Sequence, residues 1–304
     1  VTGSASDRSD PLVGLLGQGG RRRRIAATAI GALAFVAAAV ALAWNRETLA
    51  AALAALRAAP PGTVVLLLGA IAGQAVASCV LFAVLYRRYA RIPAGAMAAT
   101  VVASTAANYL PLRPGLVGRI AFLRARFGVG VRDSVVVTVE AIALGGIVLA
   151  VTVPVVGFAR PIGYPAWIAV GTIAAAVSCL AAWRTSRRFA LAFLVRLAEL
   201  GLLAVRAWLS FRLIGLEISP ESAIAFACVS SIASLVPLVP AGMGLREWAI
   251  GLLAPAVAGH SLGQGIAAEL VNRAAELLVI APLGGIAAAW LARPVRSSRP
   301  DPVP

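Results

Sequence analysis

The sequence predicts an all-α polytopic membrane protein: six full transmembrane helices plus two re-entrant helical hairpins, arranged as an inverted repeat. Three observations predict it. Apolar runs of about twenty residues, the length that spans a ~30 Å hydrocarbon core, recur along the chain. Charge is scarce and one-sided, with 27 cationic residues, all of them Arg, against 12 acidic ones. A segment broken by Pro and Gly occurs twice, 126 residues apart.

The 304 residues are 61% hydrophobic and 13% charged, with a mean hydropathy of +0.91. Soluble domains carry about 25% charged residues, so a soluble enzyme, a disulfide-stapled secreted domain and a disordered chain are all excluded. The +15 net charge does not indicate nucleic acid. The arginines punctuate the ends of apolar segments and do not gather with aromatics on one soluble face. Cys79, Cys179 and Cys228 lie inside apolar stretches without CxxC spacing, and His260, the lone histidine, sits in a Gly/Ala-rich turn. These are packing and turn residues, so no metal or cofactor is expected.

In chain order, residues 1–24 read as a basic cytoplasmic tail ending in Arg21, Arg22, Arg23 and Arg24. Full spans follow at 25–44, 64–86, 134–158, 164–183, 189–213 and 262–289, and residues 292–304 form a second cytoplasmic tail. Two stretches fit a crossing poorly. Residues 93–110 run into Pro111, Pro114 and Gly115, and residues 222–236 run into Pro237, Pro240, Gly242 and Gly244. Proline removes an intrahelical bond and biases its predecessor away from helix. Each stretch is followed by a second short amphipathic one, giving hairpins over 93–130 and 221–258.

Arginine distribution decides between crossing and turning back. Two re-entrant hairpins put seventeen arginines on the cytoplasmic side, four outside and six at membrane depth. Letting both segments cross gives an almost even split, which the positive-inside rule disfavours. The repeat agrees. A shift of 126 aligns residues 104–114 with 230–240 at five identities in eleven, both prolines included. The halves are then 25–158 and 159–291. Three crossings in each invert one half against the other, a recurrent transporter plan with broken helices meeting near the midplane.

Charges at depth cost ~2.5–3.5 kcal/mol on insertion scales and should face a cavity or one another. The densest group follows Pro240. Gly242 and Gly244 permit a tight turn, the next helix begins near Leu245, and its N-terminus with Arg246 suits an anion. Glu247 orients Arg246 or exchanges a proton. The first hairpin offers Arg113, Gly115 and Arg119, and Asn108 and Ser234 occupy matching positions before the breaks. The structural alternative is that these arginines cap helix ends or snorkel. Glu269, Asn272, Arg273 and Glu276 share one face of the last span, with Arg273 expected to pair with Glu269 or Glu276. Arg196 and Glu199 read as a structural pair. Glu140, alone on its span, is the expected titrating carboxylate.

The element Pro237-x-x-Pro240-x-Gly242-x-Gly244-x-Arg246-Glu247 resembles the lysylphosphatidylglycerol synthase transmembrane-domain family. Downstream Asn272-Arg273 and Pro282-Leu283-Gly284-Gly285, and upstream Asn108-Tyr109-Leu110-Pro111 and Gly115-x-x-x-Arg119, carry the likeness further. The resemblance implies a flippase-like membrane protein, with Arg246, Glu247, Arg119 and Arg273 at the family's polar positions. Two positions depart from the pattern. Leu116 stands where the family usually has Glu, and Ala141 where it tends to have Arg, so a first-half charge pair is missing. The chain runs only some dozen residues beyond its last span, and lipid aminoacylation by it is not expected.

The expected function is a non-enzymatic lipid translocase of the cell membrane that holds an anionic headgroup between the hairpin tips. Two alternatives remain at this stage. One is a non-transporting accessory subunit for a separate lipid-modifying enzyme or glycosyltransferase. The other is a polyprenyl-phosphate-dependent transferase, which the lack of an Asp cluster within a span disfavours. The sequence identifies neither the lipid nor the oligomeric state.

Overall fold

A computed structural model describes residue 54 and residues 57–109, 114–162, 164–235, 242 and 244–292. The expected basic tails, the first span and Arg113 lie outside the described residues. Those described are helical throughout, with no strand among them.

Nine helices carry the described fold: α1 (Pro61–Tyr86), α2 (Ala94–Ala107), α3 (Pro114–Phe127), α4 (Val131–Ile162), α5 (Tyr164–Thr185), α6 (Arg187–Leu213), α7 (Pro220–Leu235), α8 (Leu245–Ala258) and α9 (Leu262–Leu291). Among the described residues, Pro61–Tyr86, Val131–Val155 and Leu262–Leu291 are long and apolar enough to cross a membrane. Their outward faces carry large apolar residues such as Leu66, Val76, Ile142, Leu278 and Ile286, which suits lipid. The chain is a multi-pass membrane protein. By contrast α2, α3 and α8 have 14 residues each, about 21 Å at 1.5 Å per residue and short of a bilayer core.

Packing centres on α1 against α6. The two run antiparallel: Ser78 meets Glu199, Gln74 meets Arg206, and Leu67 and Ile71 pack with Leu209 and Leu213. The α2–α3 hairpin leaves the bundle end at Tyr86. The α7–α8 hairpin leaves the other end, beyond Leu213, and returns to it. There Ser222 Oγ donates to the Val257 carbonyl at 2.9 Å, and the His260 ring lies 2.9 Å from the Glu217 carbonyl and stacks on Phe211.

The helix contacts themselves repeat. α2 packs on α9 as α7 packs on α4, α8 on α9 as α3 on α4, and α1 on α2 as α6 on α7. The pairs are unequal, however: α8 lies along α9 far more extensively than α3 lies along α4.

Candidate functional site

The polar residues of α6, α8 and α9 converge at the middle of the bundle. A turn built on glycine starts α8. Gly242 and Gly244 have φ of +70° and +79°, a region costly for residues with a Cβ. A side chain at Gly242 would also crowd Arg246 and the Ala233 carbonyl, at 3.1 and 3.3 Å. This turn puts Arg246 and Glu247 in the first turn of α8, facing inward and buried. Across from them, α9 begins at a capping box between Ser261 and Gln264 and presents Glu269, Asn272, Arg273 and Glu276 from one face.

The charges close into a network. Arg246 Nη2 lies 2.7 Å from Glu269 Oε1 and its Nη1 3.4 Å from Glu276 Oε2. Arg206 reaches in from α6 with its Nη2 2.7 Å from Glu276, donates from Nε to Asn272 Oδ1 at 3.0 Å, and from Nη1 to Gln74 of α1. Asn272 in turn donates to Glu269 at 3.0 Å. Arg273 Nε faces Glu247 at 3.4 Å and its guanidinium lies over the Tyr109 ring. The Tyr109 hydroxyl bonds with the Glu276 carboxylate. Two turns along α6, Arg196 pairs with Glu199 at 2.6 Å and donates to the Ala141 carbonyl, while Ser78 donates to Glu199 at 2.5 Å. Four guanidiniums thus meet four carboxylates, and the ensemble carries no net formal charge.

A cavity of about 310 Å³ opens beside this network. Its polar lining comes from Gln74, Ser78, Arg196, Glu199, Arg206, Ser231, Ser234, Arg246 and Glu276, and its apolar lining includes Val148, Leu149, Leu200 and Leu203. A smaller one of about 70 Å³ lies between α1, α2, α6 and α9 and shares Gln74, Ser78, Arg206 and Glu276 with it. Those four side chains form the partition.

The sequence-predicted residues therefore divide. Arg246, Glu276 and Ser234 line the central cavity, and Glu247, Glu269, Asn272 and Arg273 support it from behind. Gly242 and Gly244 shape the turn. Arg119 does not line this cavity; it packs between α1 and α4 with its guanidinium 3.9 Å from the centroid of the Phe82 ring. Asn108 and Gly115 lie together where α2 meets α3.

Two expectations need correction. Glu140 is not alone: Arg88, from the turn after α1, meets it at 2.5 Å at the rim. Their separation of 52 positions along the chain hid that pair. Arg273 takes Glu247 across the helix interface, a partner that spacing along α9 did not indicate. Sequence reasoning assigned no role to Arg206, Gln74 and Ser78, and read Arg196–Glu199 only as structural. The available signal was spacing: Gln74 and Ser78 are four apart in an otherwise apolar helix, and Arg196, Glu199 and Arg206 share a face.

Residues 180–284 match the family described as the Lysylphosphatidylglycerol synthase TM region. The match supports the family assignment that the motifs suggested. It runs from the end of α5 into α9 and contains every ion pair of the central network. No curated protein matches the chain.

Proposed function

We propose, from the family match over residues 180–284 and the cavity at the bundle centre, that this protein is a carrier that moves a phosphate-bearing lipid between leaflets. The family is associated with flippase-like function. The observation that carries the reading is the cavity's mixed lining: guanidiniums, carboxylates and hydroxyls interleaved with Val148, Leu149, Leu200 and Leu203. A lining that offers both charged and apolar contacts suits a lipid, which carries a polar headgroup next to an apolar glycerol and acyl region.

The neutral network defines how a headgroup binds. No guanidinium of the network is held in reserve, so a phosphate reaching Arg246 or Arg206 competes with Glu276 for them. Displacing Glu276 loosens α9 from α6 and α8 together. That links headgroup binding to helix rearrangement, the differential contact any ligand-driven change requires.

The short paired helices support reading α2–α3 and α7–α8 as re-entrant hairpins of an inverted repeat, with rocking of one half against the other exposing the cavity alternately. The arginine distribution supports a cell-membrane protein with both termini cytoplasmic.

The experiment is a reconstituted-liposome assay of headgroup exposure with fluorescent phosphatidylglycerol. The wild type is expected to accelerate exchange between leaflets, and Arg246→Gln and Arg206→Gln to abolish that acceleration. Exchange no faster than in protein-free vesicles, with a stoichiometric enzyme co-purifying, overturns the carrier in favour of the accessory subunit.

A further inference from the structure

The second arginine of the repeat sits in a different electrostatic situation from the first. Gly115-x-x-x-Arg119 and Gly242-x-x-x-Arg246 stand 127 residues apart; Arg119 is the sixth residue of α3 and Arg246 the second of α8. Arg246 is compensated by two carboxylates of α9. Arg119 is 7% exposed, and among the described residues no carboxylate lies in ion-pair reach of it. The reason is visible on α4. It meets Arg119 with Thr138, which accepts from Nη2 at 3.1 Å, whereas α9 meets Arg246 with Glu269 and Glu276. Glu140 belongs to Arg88.

Uncompensated buried charge is costly: even after relaxation the penalty is several kcal/mol per ion. Three buried polar atoms in this region have no hydrogen-bond partner among the described residues: Arg119 Nε, the Tyr86 hydroxyl and Ser134 Oγ. Tyr86 ends α1 within electrostatic reach of Arg119, and Ser134 sits one turn before Thr138 on α4, 0% exposed. All three can donate, and donors without acceptors around a cation are the complement of an anion. The helices that bracket them are also the sparsely packed pair, α3 on α4, whereas their counterparts α8 and α9 are closed together. Around the outside stand exposed Arg87, Arg88, Arg124, Arg126 and Arg132, at the same end of the bundle.

We propose that Arg119, Tyr86 and Ser134 form a second anion site, between α1, α3 and α4 and separate from the central cavity, that takes a phosphate group. The phosphate belongs either to a lipid of the leaflet at the arginine-rich end or to a free phosphate ion. It supplies the negative charge that the protein supplies itself at Arg246. The site rests on orphaned donors and stands whether or not the protein transports lipid.

The test is thermal unfolding of the full chain in a neutral detergent, titrated with dihexanoyl phosphatidylglycerol and, separately, with inorganic phosphate. A saturable rise in Tm is expected. If only the lipid produces it, the ligand is a headgroup; if inorganic phosphate does so equally, the ligand is the free ion, and both outcomes support the site. Arg119→Gln should reduce the rise to whatever binding at the central cavity contributes. Tyr86→Phe, which removes one donor and little volume, should raise the half-saturating concentration about tenfold. Arg212→Gln, exposed at the opposite end of the bundle, should leave that concentration unchanged. If Arg119→Gln does not fold, Tyr86→Phe and Ser134→Ala carry the test. No saturable rise with either compound overturns the proposal. So does a half-saturation that is unaltered in Tyr86→Phe and Ser134→Ala, or one that responds only to Arg246→Gln.

Discussion

Arg206 holds three helices at once, through Gln74 on α1 and through Asn272 and Glu276 on α9. It is 2% exposed. Removing one member of such a buried pair leaves the other uncompensated, which costs about 3–5 kcal/mol. Arg206→Gln should therefore lower the thermal midpoint strongly in detergent. Arg88→Gln breaks a pair at the rim, where solvent screens it, and should cost less than about 1 kcal/mol. Comparable losses in the two variants would show that the central network adds nothing to stability beyond a surface pair. The same contrast explains what sequence could see. Glu269, Asn272, Arg273 and Glu276 were legible as one face because a helix sets their spacing. Their partners Arg206 and Glu247 come from other helices, and no spacing rule reaches across.

Helix pairs are brought together here by missing side chains. A Cβ at Gly284 of α9 would overlap that of Ala106 on α2, so the α2–α9 contact depends on that glycine. Gly284→Val should cost about 1–3 kcal/mol by forcing the helices apart. Its neighbour Gly285 has nothing within 4 Å of a Cβ. Gly285→Ala should be neutral or stabilising by up to about 1 kcal/mol, from helix propensity alone. Denaturation midpoints of the two variants read the difference; equal effects would remove α2–α9 packing as the cause. The helix boundaries themselves were well marked in the sequence. Residues 93–110 end at a Pro/Gly break, and α2 stops at Ala107 with Asn108 as its C-cap. Proline chemistry is local, and local chemistry is what a sequence displays.

For the molecule as a whole, the proposed reading of α2–α3 and α7–α8 as re-entrant hairpins at opposite bundle ends gives a labelling pattern. In a background with Cys79, Cys179 and Cys228 replaced, cysteines at Arg91, Arg126 and Ser186 should all react with an impermeant maleimide from one side of sealed vesicles. Cysteines at Glu217 and His260 should react from the other. If α2–α3 crosses instead, positions 91 and 126 will label from opposite sides. The +15 charge acts at this scale as well, since exposed arginines gather at the bundle end where α1 and α3 finish and α4 and α6 begin.

By itself, the sequence determined that this chain lives in a membrane, where its helices start and stop, and that its halves share a pattern. Those properties follow from hydropathy, proline and spacing, all read within one helix at a time. Only the tertiary structure decided which guanidinium meets which carboxylate. It closed Arg246, Arg206, Arg273 and Arg196 into a neutral network and left Arg119 without a carboxylate among the described residues, although Arg119 and Arg246 follow the same motif. The difference lies in the facing helix: α9 meets Arg246 with Glu269 and Glu276, and α4 meets Arg119 with Thr138. A side chain's electrostatic state is set by neighbours that folding brings from far along the chain.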